Sequence, residues 1–185
     1  WDTILMSIIP VDAWKEVSPG LLSVVGTRDS KLYIDVIKQF DVVNNPRYKP
    51  NKLGHGETYC NIFVSDCTLA LGCEIPHWID STGNRVAVGK GKELNANATF
   101  DWLSGKGFTD LGWMIVSADT AMKRASSGFP TVVAWQNPKG IGHVAMIMPS
   151  AGTVKISQAG KNNLFDATLI SGFGHVKPLK FFTHE

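Results

Sequence analysis

The sequence contains no apolar run approaching the ~18 residues that a membrane-crossing helix needs. Its most apolar early stretch, Ile4–Val11, is short, broken by Ser7 and Pro10, and has no basic region before it, which makes it a poor signal peptide. An excess of one charge is missing too. Eighteen Lys and Arg against 16 Asp and Glu leave a formal charge of +2, and the basic residues are scattered, with Lys90 and Lys92 the nearest to a cluster. That balance provides no electrostatic footprint for nucleic acid, though it suits an anionic polymer among other partners. Metal-ligand patterns are also lacking: there is no Cys-x-x-Cys spacing, His-Glu-x-x-His motif or closely spaced His pair, so neither metal nor other cofactor is expected. Without repeats, low-complexity tracts or linkers, the 185 residues read as one domain able to bury its own core, and as a monomer. The chain opens on Trp1 instead of Met, which reads as a fragment or processed product whose upstream targeting segment or partner domain is unseen.

Cysteine is scarce, and the three present differ in setting. An odd number leaves at least one thiol unpaired within the chain. Cys67 and Cys73 read as small buried apolar side chains. A disulfide between them would require a helix to end near Gly72 and the chain to fold back, and is not expected. Cys60 stands apart. In Glu57-Thr58-Tyr59-Cys60-Asn61-Ile62-Phe63-Val64-Ser65-Asp66 a polar turn gives way to an amphipathic helix, with cysteine at the junction. The positive end of the helix dipole lowers a thiol's pKa there, toward the reactive thiolate.

Residues 1–30 read as an irregular or loosely packed lead-in with turns at Ser18-Pro19-Gly20 and Gly26. Asp29 or Ser30 is expected to cap a helix through about Val42, since Leu32, Val36, Ile37 and Phe40 recur at helical spacing. Residues 44–56 are rich in turn formers and form an ordered loop. The Cys60 helix is closed by Gly72. Beyond it, Ile75–Trp78 is a loop and Ser81–Asn84 a hairpin-like turn. Asn97 caps a short helix with Phe100, Trp102 and Leu103, and Ser117 caps another through Ala125. After residue 130 the period changes: Thr131–Trp135, Gly142–Met148, Thr153–Gln158 and a stretch near His175–Phe182 read as strands. Helices followed by an antiparallel meander predict an α+β domain, with N-terminal helices packed on a C-terminal antiparallel sheet.

A thiol hydrolase needs a thiolate, an imidazole paired with it, and a polar group to orient the imidazole. Cys60 at a helix start and His143 at the start of the strand in Gly140-Ile141-Gly142-His143-Val144-Ala145-Met146 fit the first two roles. On the next strand Val154, Ile156 and Gln158 share a face, and an amide ending an apolar row is suited to accept the imidazole N–H. Asn162 or Asn163 could serve instead, or contact substrate from the rim; an ordinary turn is the alternative for both. The backbone N–H of Cys60 is the natural oxyanion donor. The Tyr59 hydroxyl could add to it or pack beneath the helix. His55, His77 and Trp78 are candidate groove residues. Trp102, Trp113 and Trp135 read as core residues, not as sugar platforms.

A cysteine opening a helix, a Gly-His-Val-Ala strand and a following strand that ends in a polar residue plus Ala resemble the NlpC-like and CHAP peptidoglycan hydrolases of the papain-like superfamily. The resemblance spans roughly residues 55–165. It implies a papain-like NlpC/CHAP-type fold, with Cys60 as nucleophile, His143 as general base and acid, and Gln158 as third member. It also implies a cysteine peptidase or amidase cleaving amide bonds of bacterial peptidoglycan, by stem-peptide endopeptidase or amidase action. Such enzymes are secreted, periplasmic or delivered by phage to the wall, as endolysins, autolysins or antibacterial toxins. The chain departs from the NlpC-like pattern in having Tyr59-Cys60-Asn61-Ile62 instead of Asp-Cys-Ser-Gly and Gln158 instead of His. Its long Cys60–His143 interval also implies an insertion around residues 74–127. The cleaved bond therefore stays open.

Other classes find less in the sequence. A zinc hydrolase would use Cys60, His143 and one of His55 or His77. A lysozyme-like glycosidase would need two carboxylates across a cleft, for which Glu57 and Asp66 are available. A papain-like toxin acting on host proteins and a catalytically inactive wall-binding module are the remaining alternatives.

Overall fold

In the computed structural model, which describes residues 9–176 and 178–185, regular structure begins at a well-capped helix. Most of Ile4–Val11 lies outside the described residues. The lead-in from residue 9 to Arg28 is irregular and largely exposed, as expected, but it is anchored at a few points. Ala13, Val17 and Ser23 are buried, and Arg28 ties the segment down by donating to the carbonyls of Ser23 and Leu71. Helix α1 spans Ser30–Lys38, and the Asp29 carboxylate accepts the Leu32 N–H at its start. It stops short of Val42 because Asp41 takes a left-handed conformation, φ 44°, which an Asp tolerates and which reverses the chain.

Helix α2, Cys60–Ala70, has nine of its 11 residues buried. It is a central helix, covered on nearly every side, not the amphipathic helix expected. Gly72, at φ 74°, supplies the left-handed residue that ends it. A short hairpin of β1 (Trp78–Ile79) and β2 (Lys92–Glu93) follows. Helix α3 (Ala96–Trp102) is capped by Asn95, not Asn97. A single π-type turn, Leu103–Gly107, carries it into α4 (Phe108–Asp110). After β3 (Met114–Val116), Ser117 caps α5 (Ala118–Ser126) as its sequence predicts.

The remaining strands are β4 (Thr131–Trp135), β5 (His143–Met148), β6 (Lys155–Gln158), β7 (Leu164–Thr168) and β8 (Lys180–Thr183), with α6 (Leu169–Phe173) between the last two. They build a mixed α+β fold around one six-stranded antiparallel sheet in the order β3-β8-β4-β5-β6-β7. Only β4 to β7 form a meander. The final strand crosses back to lie between β3 and β4, which leaves β3 and β7 as the edges of the sheet. Residues 74–127 contribute β3 to this sheet and α5 to its back.

Both faces of the sheet are covered, which explains the continuous apolar runs of β4 and β5. Val132, Ala134, Val144, Met146 and Met148 face the core that contains α1, α2 and α3. Val133, Ala145, Ile147, Ile156 and Phe181 face Ala121 and Ala125 of α5 and Phe173 of α6. The first core holds the N-terminus of α2 against β5, and that contact positions the site. Among the described residues no helix is long and apolar enough to cross a membrane.

Candidate active site

Cys60 is the first residue of α2, and His143 is the first residue of β5. Packing of this helix against this strand brings their side chains together across 83 residues of sequence. Cys60 is only 3 % exposed. Burial raises its thiol pKa, but the His143 imidazole acts against that by hydrogen bond and charge, aided by the backbone N–H groups of Val144 and Asn61, and the net shift is downward. For His143, burial disfavours the charged ring, while Cys60 and Gln158 favour it more strongly, and its pKa is raised. Burial opposes charge on both groups, and each favours the charged form of the other, so the shifts point toward a thiolate–imidazolium pair.

Gln158 ends β6 and is 3 % exposed. Its Oε1 lies 2.6 Å from His143 Nε2, and its Nε2 donates to the Asn162 carbonyl at 3.0 Å. A carbonyl can only accept, so the second bond fixes which way the amide points. Oε1 must then accept from His143 Nε2–H, and Nδ1 is the nitrogen left to exchange a proton with Cys60. The Phe173 ring, 4.7 Å away centroid to centroid, packs against the imidazole.

Glycines make room for this arrangement. A Cβ on Gly172 would fall on Gln158 Oε1 and Ile156 Cδ1, and one on Gly160 would come within 2.8 Å of Gln158 Nε2. On the far side, Asn97 clamps the β4–β5 loop: its Nδ2 donates to the carbonyls of Asn137 and Gly140, and its Oδ1 accepts the Asn137 N–H. Gly142 passes so close to Asn97 and to the Trp135 carbonyl that no side chain would fit. The residue expected to cap a helix thus fixes the loop that delivers His143.

A groove of about 750 Å³ reaches His143 and Gln158, walled by Thr58, Trp135, Ile141, Lys161 and Asn162, while Cys60 is buried behind the imidazole and does not line it. Trp135 pairs directly with His143 across β4 and β5, so both side chains stand on one face. Half-buried, it packs against the second core and also walls the groove, whereas Trp102 and Trp113 are buried as expected. The sequence signal for Trp135 was available in the hairpin register. The glycines flanking His143 and Gln158 were a second signal.

Several expected groove residues lie elsewhere. His77 and Trp78 line a small separate cavity with Trp14 and Asp66. His77 Nε2 is 2.8 Å from Glu93 Oε1, and its ring packs with Trp14 and Trp78. The β1–β2 hairpin draws both residues there. Tyr59 is buried and lines another depression with Lys52 and Leu53. Its hydroxyl donates to Glu57, under the Lys52 ammonium, so it is not an oxyanion donor. Asn162 does border the groove, and its contribution to the triad is its carbonyl, held by Gln158. Asn163 braces the turn instead, through Gly160, Val42 and Tyr48.

Cys67 and Cys73 are buried free thiols, both pushed up by desolvation. They are core residues; at Cys73 the Arg28 charge offsets only part of the effect of burial, and at Cys67 the Asp66 charge adds to it. Asp66 does not face Glu57 across a cleft. It is buried and accepts two bonds from the Arg47 guanidinium and one from Tyr48, and Arg47 also donates to the Asp12 carbonyl. This ion pair fastens the lead-in and the loop before Cys60 onto α2. The Glu57 carboxylate accepts the N–H groups of Leu53 and His55. Among the described residues no group of three or more His, Cys, Asp or Glu side chains could hold a metal ion.

No family model matches the chain, and no curated protein does. What the site itself offers is a lowered thiol, a raised and oriented imidazole, and an open groove that reaches the imidazole.

Proposed function

We propose that this chain is a cysteine hydrolase that cleaves amide bonds in bacterial wall peptidoglycan. The observation that carries the reading is the His143–Gln158 bond of 2.6 Å, which assigns the imidazole proton to Nε2 and leaves Nδ1 for Cys60. A core histidine has no need of a buried amide pinned in that orientation. The resemblance to NlpC-like and CHAP enzymes, and with it a papain-like fold, supplies the substrate class. The helix start and adjacent strands that carry the three residues are compatible with that fold.

In the proposed mechanism the thiolate of Cys60 attacks the amide carbonyl carbon, and the carbonyl π pair moves onto oxygen. Backbone N–H groups at the start of α2 receive the oxyanion, because a helix N-terminus leaves its N–H groups unpaired. Collapse breaks the C–N bond, and the His143 imidazolium gives its Nδ1 proton to the departing amine. The resulting thioester is attacked by water, with His143 Nδ1 as base. A carboxylic acid leaves and the thiol returns. Gln158 and the Asn162 carbonyl hold the ring through both proton transfers.

The lowered Cys60 thiol favours an active enzyme over an inactive wall-binding module. Turbidity clearing of purified peptidoglycan tests the reading. Wild type clears it, iodoacetamide abolishes clearing, a chelator leaves it intact, and Cys60→Ala is inactive. Equal clearing by Cys60→Ala would overturn the proposal.

A further inference from the structure

The turn from Gly160 to Asn163 separates two depressions, and Lys161 and Asn162 line both. One is the groove that reaches His143 and Gln158. The other, of about 530 Å³, has Asn44, Asn45 and Lys49 on its opposite wall. Its walls are tied together. Asn163 Nδ2 donates to the carbonyls of Val42 at 2.9 Å and Tyr48 at 2.8 Å, while its Oδ1 accepts the Gly160 N–H. Asn45 is held in turn by the Phe40 carbonyl and the Arg47 N–H. Two chain segments more than 100 residues apart are thus fixed across a preformed gap, at no ordering cost to a ligand.

The charge in this path is one-sided. No Asp or Glu lines either depression, and Lys49 and Lys161 are the lysines that do. Both are exposed, and among the described residues neither takes part in an ion pair. The neighbouring acid, Asp41, accepts from Asn44 at the outer edge. Unpaired ammonium groups along a rigid polar channel attract an anion that can displace their water.

We propose that this second depression is a substrate subsite for a carboxylate borne by the acyl substrate some residues from the cleaved amide, with Lys161 and Lys49 as its contacts. Lys161 approaches that carboxylate from the junction with the groove, and Lys49 approaches it from the opposite wall. The subsite rests on the thiol-hydrolase reading of the groove. It adds that free-carboxylate peptides are preferred over their amidated forms.

Binding tests this without relying on turnover. The probes are soluble peptidoglycan fragments with free carboxylates and the same fragments amidated with carbodiimide and ammonia. Both are titrated calorimetrically into Cys60→Ala protein at low and physiological salt. Free-carboxylate fragments should bind roughly tenfold more tightly than amidated ones, as expected for one charge-assisted hydrogen bond. The Lys49→Met/Lys161→Met double variant should lose that preference and still bind the amidated form unchanged. In the Cys60-containing protein, Lys161→Met should lower the ratio of iodoacetate to iodoacetamide alkylation rates roughly twofold at low salt and less at physiological salt, the order expected for loss of one solvent-screened cation. Equal binding of both forms, binding of neither, or a preference that survives in the double variant would overturn the subsite. If the preference appears and wild type hydrolyses nothing, the subsite stands and the hydrolase reading falls.

Discussion

Gln158 accepts the Nε2–H of His143 at 2.6 Å and is itself held by the Asn162 carbonyl at 3.0 Å. The imidazole is thereby restricted to one tautomer and one orientation, with Nδ1 directed to Cys60. Removing a hydrogen bond to a charged group costs about 1.5–3 kcal/mol, roughly 10- to 150-fold in rate. Gln158→Ala should therefore lower kcat by that factor and change KM little, as read by steady-state hydrolysis of wall fragments. Gln158→Glu should retain more activity, because a carboxylate can still accept the Nε2–H. An Ala variant of full activity would remove Gln158 from the triad.

The thiol of Cys60 is lowered and the imidazole of His143 is raised, each by the other. Both shifts favour the thiolate–imidazolium form over the neutral pair. Iodoacetamide alkylation of Cys60 should accordingly begin well below the ordinary thiol range as pH rises. In His143→Ala the favourable partner is gone and burial remains, so the onset should move to higher pH than that of an exposed thiol. Cys67 and Cys73, raised by burial, should stay unlabelled until the protein unfolds. Peptide mapping after timed labelling checks all three residues together.

Gly172 sits where any Cβ would meet Gln158 Oε1. Gly172→Ala must push the amide off the imidazole or move α6. Overpacking of this kind costs about 1–3 kcal/mol, so the variant should fold and its activity should fall as in Gln158→Ala. Combining the two changes should cost little more than either alone, because both act through one bond. Additive losses would assign Gly172 another role.

Arg47 and Asp66 form a buried pair with side-chain exposures of 2 % and 8 %. Removing one member of such a pair destabilises a protein by about 3–5 kcal/mol. Arg47→Met and Asp66→Asn should each lower the urea midpoint by a corresponding amount. Hydrolysis per folded molecule, measured well below the transition, should persist. Loss of activity without loss of stability in Asp66→Asn would revive a catalytic carboxylate.

The parts of this structure visible in the sequence are those set by local chemistry. Asp29 and Ser117 were readable as caps, Gly72 as a stop, and β4 to β6 from their strand pattern. Cys60, His143 and Gln158 followed from what a thiol, an imidazole and an amide can do at those positions. What escaped depended on tertiary pairing. In strand β7 Asp166 adopts φ 53°, which breaks the alternation that marks a strand. The return of β8 beside β4 leaves no local trace. The aromatic pair His77–Trp78 was assigned to the groove by composition, and the β1–β2 hairpin carries it elsewhere. Arg47 was one cation in a polar loop, and only the fold shows that it is buried against Asp66.

The most direct test of the central claim is mass spectrometry of purified peptidoglycan digested in water enriched in ¹⁸O. Wild type should release a new amine and a matching carboxyl that carries the label, because water resolves the thioester. Cys60→Ala should release neither. The same labelled products from Cys60→Ala would contradict the account.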